Sequence, residues 1–374
     1  MSLSPITPAP SLLVALLVAC QPAAPSTLVL PVAPGHSWSA AEISGFANRL
    51  DSLRQAAHIP GLSAALIVAG RVVLLRGFGL ANLENGIAAT DTTPYNIASV
   101  SKPLSAVVAL RLAESGLLDV DRPMTSFAGF AEFCQDAHAG GGMFFGDYDC
   151  TSPTLTFRRV LSMTSNGVPG SRFFYNPPGY SWLSRPMAEV AGKTFSTLVA
   201  ELVFAPAGMQ RSARTNRRLP LSPELAAALA TPYHLDASGR LVVSEPPPPQ
   251  GDGAAGGVIS TVADLARFDL ALDAGRLLTL ASRTAMWTPT RGPDGQPFPY
   301  GLGWFIRTVH GERLVWHTGL WEGAYSALYL KIPARSVSLI LLANSDGLQF
   351  PTPLDGATIE TSPFAMALLD ALSR

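Results

Sequence analysis

The spacing of apolar residues along the chain predicts where helices and strands lie, and it first becomes regular near residue 40. Between residues 40 and 57, apolar side chains recur every three or four positions, at Ile43, Phe46, Leu50 and Leu53. This spacing places them on one face of a helix. The segment therefore predicts an amphipathic helix that begins the folded part of the chain.

Apolar runs of strand length occur near both ends of the region that follows. Residues 61–70 and 71–79 form two such runs, and they meet at a tight Gly70-Arg71 turn, which predicts a hairpin. The last third of the chain contains four more runs, separated by turns, at residues 300–309, 313–319, 324–333 and 336–346. An apolar helix is predicted for the end of the chain, at residues 362–374.

The middle of the chain, from about residue 118 to 240, reads mostly as helix and loop. Residues 246–257 form a loop by composition, and 260–275 form a helix with Ser260 or Thr261 as its N-cap. Strands at both ends with helices between them indicate an α/β (α+β) fold. We expect one antiparallel sheet built from both termini, with flanking helices and an inserted, mostly helical region.

The N-terminal segment carries an expected export signal. Residues 1–20 end in a short apolar run and Cys20, an arrangement that resembles a lipoprotein-type signal peptide with lipidation at the cysteine. The run is too short to span a bilayer, which takes about 20 residues. No lysine or arginine precedes Arg49, so an ordinary signal peptide and a misassigned start remain alternatives. Residues 21–38 predict a disordered tether, and 39–374 a single folded domain of a periplasmic or cell-surface protein.

Charge and metal-ligand spacing narrow the expected partners. The formal net charge is −1, and basic runs with interleaved aromatic residues do not occur, so nucleic acid is not an expected partner. The histidines and cysteines lack the spacing of a zinc site. We therefore expect no metal and no cofactor, and membrane contact only through a lipid anchor at Cys20.

Cys134 and Cys150 are the two cysteines outside the predicted signal. In an exported protein such a pair is a candidate disulfide, worth about 3 kcal/mol for a loop of this length. Two free buried thiols are the alternative.

The stretch NIASVSKPLSAVV carries the candidate chemistry. The chain has three lysines, and only Lys102 has a serine, Ser99, three residues before it, on the same face of a helix. Pro103 belongs in a first helical turn, which places Ser99 at the positive end of the helix dipole. Buried and neutral, the lysine could take the serine proton, as acyl transfer requires. A lone match of this kind is more often a capping serine with a surface lysine.

Several further stretches accompany this pair in a consistent order. IPGLSAALIVAGRVVLLRGFGLANLE, YNIASVSKPLSAVVALRLAESGLLDVD, AAGGVISTVADLARF, YGLGW and VWHTGLWEGAYSALYLKIPARSVSLILLANSDG together span about residues 40 to 345. They resemble the serine β-lactamase and DD-peptidase-like superfamily, especially the class C β-lactamase-related hydrolases. The resemblance implies that superfamily's fold.

The resemblance also implies site residues. Ser99 corresponds to the nucleophile, Lys102 to the proton relay and Tyr175 to a general base or acid. His317, Thr318 and Gly319 match the substrate-binding strand motif that is Lys-Thr-Gly in many β-lactamases. Backbone N–H groups of Ser99 and Leu320 would form the oxyanion hole. A packed core tyrosine and a structural strand histidine are the alternative interpretations of Tyr175 and His317.

Two departures from the family pattern bear on the substrate. The usual Tyr-x-Asn reads Tyr175-Asn176-Pro177, so the expected amide is missing at its third position, and the Met163–Gly167 loop is followed directly by the tyrosine segment. The histidine would be only partly charged near neutral pH. We expect an ester or amide hydrolase working through a Ser99 acyl-enzyme, esterase-like or D-amino-acid peptidase-like, acting on small or peptide-like acyl substrates. The alternatives are a β-lactamase or penicillin-binding DD-carboxypeptidase, and a non-catalytic binding protein on this fold.

Overall fold

A seven-stranded antiparallel sheet joins the two ends of the described chain, as the sequence predicts. Its order is β3-β2-β1-β12-β11-β10-β9 in a computed structural model. The strands of this sheet are β1 Gly61–Val68, β2 Arg71–Asn82, β3 Ile87–Ala88, β9 Phe305–Val309, β10 Glu312–Trp321, β11 Tyr325–Ile332 and β12 Val337–Ala343. Every residue of β1, β11 and β12 is buried, which shows that the centre of the sheet is covered on both faces.

The structure describes Met1 and residues 38–140, 142–248, 251–352, 354 and 356–373. The strands and helices of the fold belong to one compact unit, Ala33–Arg374. The predicted signal peptide and Cys20 lie outside the described residues apart from Met1, and the predicted tether does so apart from Trp38. Among the helices that are described, none is long and apolar enough to cross a membrane.

Helices cover the sheet and fill the middle of the chain. They are α1 Ala40–Ala56, α2 Ser101–Glu114, α3 Phe130–Ala139, α4 Phe157–Leu161, α5 Pro177–Trp182, α6 Ser184–Ala191, α7 Phe195–Val199, α8 Ala205–Ala207, α9 Pro223–Ala228, α10 Val262–Asp273, α11 Leu280–Met286 and α12 Pro363–Leu372. Between α7 and α8 the chain forms a π-helical stretch, Ala200–Phe204. Helix α10 lies against β1, β2 and β12, and α1 packs on α12 and β2.

Short strands in the middle region went unpredicted. Strands β4 (Tyr95–Asn96), β8 (Val258–Ser260) and β5 (Ala213–Arg214) form a small sheet in that order. Strands β6 (Tyr233–Leu235) and β7 (Leu241–Val243) form a separate hairpin. With two or three residues each, they are too short to show a periodic pattern. The small sheet matters for the site, because β4 leads directly into the segment that carries Ser99.

Local signals in the sequence set several element ends. The first hairpin turns at Ala69-Gly70, one residue before the predicted position, because both residues adopt positive φ, as a tight two-residue turn requires. Thr261 caps α10 by accepting a hydrogen bond from the backbone N–H of Asp264 at 3.0 Å. Gly116, with φ +74°, follows the C-cap Ser115 and ends α2 in the left-handed conformation that glycine favours.

Candidate active site

Ser99 lies in a strained turn directly before α2. The turn, Ala98–Val100, is a single 3₁₀ turn, and α2 continues from it at Ser101. Ala98 has φ +45°, which is uncommon for a residue other than glycine, and the side-chain oxygen of Asn96 accepts a hydrogen bond from its N–H at 2.9 Å. Strain of this kind persists only where surrounding contacts hold it, and it is common at functional sites. The turn leaves Ser99 half-buried at the start of the helix.

Lys102 is completely buried one helical turn further on. Its ammonium group donates to Ser99 Oγ at 2.7 Å, to Tyr175 Oη at 2.9 Å and to the carbonyl oxygen of Ala255 at 3.3 Å. Burial lowers the pKa of Lys102 to about 7, because the charged form loses its hydration. A substantial fraction of this lysine is therefore neutral near pH 7 and able to accept a proton. The alternative interpretation, a surface lysine, does not fit this position.

Tyr175 contacts the same lysine. Its ring stacks on Phe305 at a centroid distance of 5.6 Å, and the Lys102 ammonium lies 4.9 Å from the ring centre. Tyr180, the other tyrosine of this segment, is fully buried and donates its hydroxyl to the backbone carbonyl of Lys102 at 2.9 Å. Tyr180 thus supports the helix, whereas the Tyr175 hydroxyl reaches the lysine side chain.

Asn176 points into the protein. It is the N-cap of α5, and its side-chain oxygen accepts from the N–H of Gly179 at 2.8 Å. Its amide nitrogen donates to Asn166 at 3.0 Å and to the carbonyl of Phe144 at 2.8 Å. Pro177 occupies the first position of α5, where a missing N–H costs nothing. The Tyr-Asn-Pro sequence therefore starts a helix, and the amide of this segment is used internally.

The disulfide loop supports this buried amide pair. Cys134 and Cys150 are joined in the structure, with their Cα atoms 5.6 Å apart. Phe144, inside the loop, accepts hydrogen bonds on its carbonyl from the amides of both Asn166 and Asn176, each at 2.8 Å. The cross-linked loop is thus hydrogen-bonded to Asn176, the residue that follows Tyr175.

Strand β10 extends beyond its neighbour β9 and contacts the turn that carries Ser99. In the described sheet, β9 pairs with β10 only from Glu312 to Trp316, so the segment from His317 onward extends beyond β9. A Cβ atom at Gly319 would lie 2.2 Å from the carbonyl oxygen of Ile97, which shows how closely this segment approaches the serine turn. Thr318 is buried, and Leu320 is 39% exposed. The segment of β10 that contains Thr318, Gly319 and Leu320 therefore lies close to the turn that carries Ser99.

His317 differs from the sequence-based expectation of a partly charged group. It is fully buried; burial, together with the nearby Lys102 charge, holds its pKa well below the ordinary value. Its Nδ1 bonds the carbonyl of Thr318 at 2.7 Å, which only accepts, so Nδ1 carries the proton. Its Nε2 then accepts from the hydroxyl of Tyr300 at 3.0 Å. Both ring nitrogens are used inside the protein, and the ring is neutral.

Two groups near the site were not assigned roles from the sequence. Tyr300 begins the YGLGW stretch, and the carbonyl of Ala255 lies within the AAGG stretch. Both stretches are part of the family resemblance, but the resemblance does not assign a role to the Tyr300 side chain or to the Ala255 carbonyl. Tyr300 bonds His317, and the Ala255 carbonyl bonds Lys102. Residue spacing does not indicate either contact, because the two partners are far apart in the sequence.

Comparisons with known proteins identify relatives of this chain by sequence and by fold. Penicillin-binding protein 4* of Bacillus subtilis (strain 168) is 27% identical over 305 residues, which cover 74% of this chain and 66% of that protein. This chain thus spans just under two thirds of that relative's length. The octameric penicillin-binding protein homologue from Pyrococcus abyssi superposes with a TM-score of 0.70 at 24% identity, covering 87% of this chain and 77% of that one.

A second solved structure extends the same comparison. The D-amino acid amidase from Ochrobactrum anthropi SV3, complexed with L-phenylalanine amide, has a TM-score of 0.67 at 20% identity, covering 87% of this chain and 99% of that one. At these identities the two structures establish the fold. The Beta-lactamase family model matches residues 46–360, a span that includes Ser99, Lys102 and Tyr175. The chain therefore belongs to the Beta-lactamase family of serine hydrolases.

Proposed function

We propose that this hydrolase cleaves esters or amides through an acyl-enzyme on Ser99. The observation that carries the proposal is the position of Lys102, whose buried Nζ lies 2.7 Å from Ser99 Oγ and 2.9 Å from Tyr175 Oη. An activated nucleophile needs a base within hydrogen-bond reach whose pKa is near the working pH. Lys102, with a pKa of about 7, meets both conditions.

In the proposed acylation step, Ser99 Oγ attacks the substrate carbonyl carbon while its proton passes to neutral Lys102. The ammonium then returns that proton through the Tyr175 hydroxyl to the leaving alcohol or amine as its bond to the carbonyl breaks. In deacylation a water attacks the acyl-enzyme, its proton takes the reverse route to Ser99 Oγ, and the acid is released. The two half-reactions together consume one water.

The carbonyl oxygen becomes negatively charged in both tetrahedral intermediates. Backbone N–H groups of Ser99 and Leu320 are the proposed donors for it. The close approach of Gly319 to Ile97 supports this role, since it brings the β10 edge against the serine turn. One such donor is typically worth about 3 kcal/mol in the transition state.

The state of His317 favours neutral esters or amides over substrates with a free carboxylate. A lysine at this position would offer a fixed positive charge to the carboxylate of a penicillin or of a peptide C-terminus. Here the ring is neutral, and both of its nitrogens are already bonded within the protein. Asn176 is likewise turned inward, so it does not offer its amide to the acyl group of a β-lactam.

The named relatives suggest two substrate groups to compare. The structural neighbour called a D-amino acid amidase was solved with an amino-acid amide, a neutral amide of the kind proposed here. The sequence similarity to a relative called a penicillin-binding protein favours the second candidate, a penicillin-recognising enzyme. The neutral His317 is our reason for proposing the amide and ester function as the first candidate.

Labelling of Ser99 tests the function directly. The purified protein is incubated with a fluorescent fluorophosphonate and, separately, with a fluorescent penicillin, and the labelled peptide is mapped. Turnover of p-nitrophenyl acetate, p-nitrophenyl butyrate, D-phenylalanine amide and nitrocefin is measured in parallel. Ser99→Ala is the test variant, and Ser101→Ala is the matched control two residues away.

We expect fluorophosphonate label on the Ser99 peptide, ester or amide turnover, and loss of both in Ser99→Ala but not in Ser101→Ala. Efficient labelling by penicillin together with nitrocefin turnover would replace the first candidate by the second. Turnover that survives in Ser99→Ala would refute the acyl-enzyme proposal.

We further propose lipid anchoring at Cys20 after export, on the basis of the sequence alone. Metabolic labelling with a fatty-acid analogue, followed by membrane fractionation, tests it. Label that is present in the wild type and absent in Cys20→Ser is the expected result, and equal label in both contradicts it.

A further inference from the structure

We infer that Arg214 is a positioning residue for the proposed proton relay. Arg214 holds the backbone of residues 253–257 so that the carbonyl of Ala255 meets Lys102. The inference rests on the proposed function, because it concerns how the base of that reaction is oriented. Arg214 does not itself contact the lysine side chain.

Arg214 is buried, and its guanidinium binds two carbonyls of the same loop. Nη1 donates to the carbonyl of Gly256 at 2.8 Å, and Nη2 donates to the carbonyl of Gly253 at 2.8 Å. Its charge is balanced by Asp252, 3.2 Å away, and its side chain is only 1% exposed. A rigid fork that bridges two carbonyls fixes both the position and the orientation of the short backbone between them.

The backbone between these two carbonyls contacts the nucleophile helix. Ala254 accepts a hydrogen bond on its carbonyl from Ser105 Oγ at 2.6 Å, and Ala255 accepts one from Lys102 Nζ at 3.3 Å. Ser105 and Lys102 both lie on α2, on the side facing the loop. Arg214 thus binds the loop through the carbonyls of Gly253 and Gly256, and α2 contacts Ala254 and Ala255 between them.

The Ala255 carbonyl restricts how neutral Lys102 can orient. A neutral amine has two N–H groups and one lone pair, and a carbonyl oxygen can only accept. One N–H is therefore directed at Ala255, which leaves one N–H and the lone pair for Ser99 and Tyr175. This is the arrangement a relay between those two hydroxyls needs. Without the carbonyl, the amine could turn its lone pair away from both.

Arg214→Lys tests the inference because it keeps the positive charge but replaces the planar fork, whose two Nη atoms each bind one carbonyl, with a single nitrogen. The titratable side chains that face Lys102 are Tyr175, Tyr180 and His317, and none of them is changed. We expect kcat to fall about tenfold or more with KM changed less than about threefold. The acid limb of the kcat/KM profile should move to lower pH, because an ammonium that loses an acceptor is less stable.

Two further variants separate positioning from folding. Ser105→Ala removes the other contact to the loop and should lower kcat and shift the acid limb in the same direction. Arg54→Lys is the matched control: Arg54 also binds two carbonyls, of Ile59 at 2.9 Å and Pro60 at 3.4 Å, and a carboxylate, Asp51 at 2.6 Å. It should keep the wild-type kcat and pH profile whatever its melting temperature.

The outcomes are distinct. Wild-type kcat and acid limb in Arg214→Lys, or an equal loss in Arg54→Lys, overturn the inference. If Arg214→Lys does not fold, an unchanged profile in Ser105→Ala overturns it instead. An active Ser99→Ala protein overturns the proposed function, and this inference with it. An inactive Ser99→Ala beside normal Arg214→Lys and Ser105→Ala overturns the inference alone.

Discussion

Replacing Lys102 with methionine should abolish activity, and the stability of the variant relative to wild type should rise as the pH falls. Lys102 is fully buried, and burial lowers its pKa from 10.5 to about 7. The folded protein therefore disfavours the ammonium form relative to the unfolded chain. Methionine has a similar length, carries no charge and adapts its shape to irregular cavities.

The size of the effect follows from the two pKa values. At 1.36 kcal/mol per pKa unit, a fall from 10.5 to about 7 costs the folded state about 5 kcal/mol when the lysine is charged in both states. The full cost applies below about pH 7, where the folded lysine is also protonated. It shrinks between pH 7 and 10.5 and vanishes above that range. At pH 9 about 2 kcal/mol remains, and at pH 7 somewhat more than 4 kcal/mol.

The substitution also removes the hydrogen bonds from Lys102 to Ser99, Tyr175 and Ala255. Each buried group left unpaired costs about 1–3 kcal/mol, and this loss is nearly the same at either pH. The total change at one pH is thus a difference between two opposing quantities. The change between pH 9 and pH 7 isolates the charge contribution, about 2 kcal/mol.

The assay is equilibrium urea unfolding of wild type and Lys102→Met at pH 7 and pH 9, without reductant. Relative to wild type, the free energy of unfolding of the variant should rise by about 2 kcal/mol from pH 9 to pH 7. Lys193→Met is the control: Lys193 and its partner Glu201 are each 48% exposed, and such pairs are worth about 0–1 kcal/mol. A Lys102→Met difference that is the same at both pH values would refute the reasoning, since the lysine would then have an ordinary pKa in the folded protein.

Two other substitutions test how burial shapes the fold. Lys331→Met should lower the free energy of unfolding in urea by about 3–5 kcal/mol, because it leaves the buried carboxylate of Asp269 without its lysine partner. A loss no larger than that of Lys193→Met would contradict this. Gly319→Ala should remove hydrolase activity and lower the free energy of unfolding by about 1–3 kcal/mol, because the new methyl group would lie 2.2 Å from the Ile97 carbonyl oxygen. Gly45→Ala, on the open surface of α1, is the control and should be neutral or stabilising by up to about 1 kcal/mol. Wild-type activity in Gly319→Ala would exclude the close approach of Gly319 to the Ile97 carbonyl.

The sheet and its flanking helices could be predicted because their patterns are long. The strands at 61–70 and 324–333 are continuous apolar runs of the kind expected for strands buried on both faces, and the structure buries them so. The small sheet of β4, β8 and β5 was missed because its strands have only two or three residues. Pairing between such strands depends on contacts far apart in the sequence.

Site residues could likewise be predicted from spacing only where their contacts are close in the sequence. Ser99 and Lys102 are three residues apart on one helix, so their contact follows from helix geometry. Tyr175 lies 73 residues beyond Lys102, and only the family resemblance pointed to it. The direction of the Asn176 side chain could not be read from the sequence at all, because it is set by Phe144 in the disulfide loop and by Asn166.

His317 shows why residue type alone does not settle a substrate. From the sequence, a histidine in place of lysine implies a weaker, pH-dependent positive charge. The structure buries the ring, gives one nitrogen to Thr318 and the other to Tyr300, and keeps its pKa far below neutral. A buried neutral ring is not a weaker anchor for a carboxylate; it offers no charge to one. We therefore expect discrimination among substrates at this position to depend on burial of the ring and on Tyr300, and to favour uncharged esters and amides, as the proposed function requires.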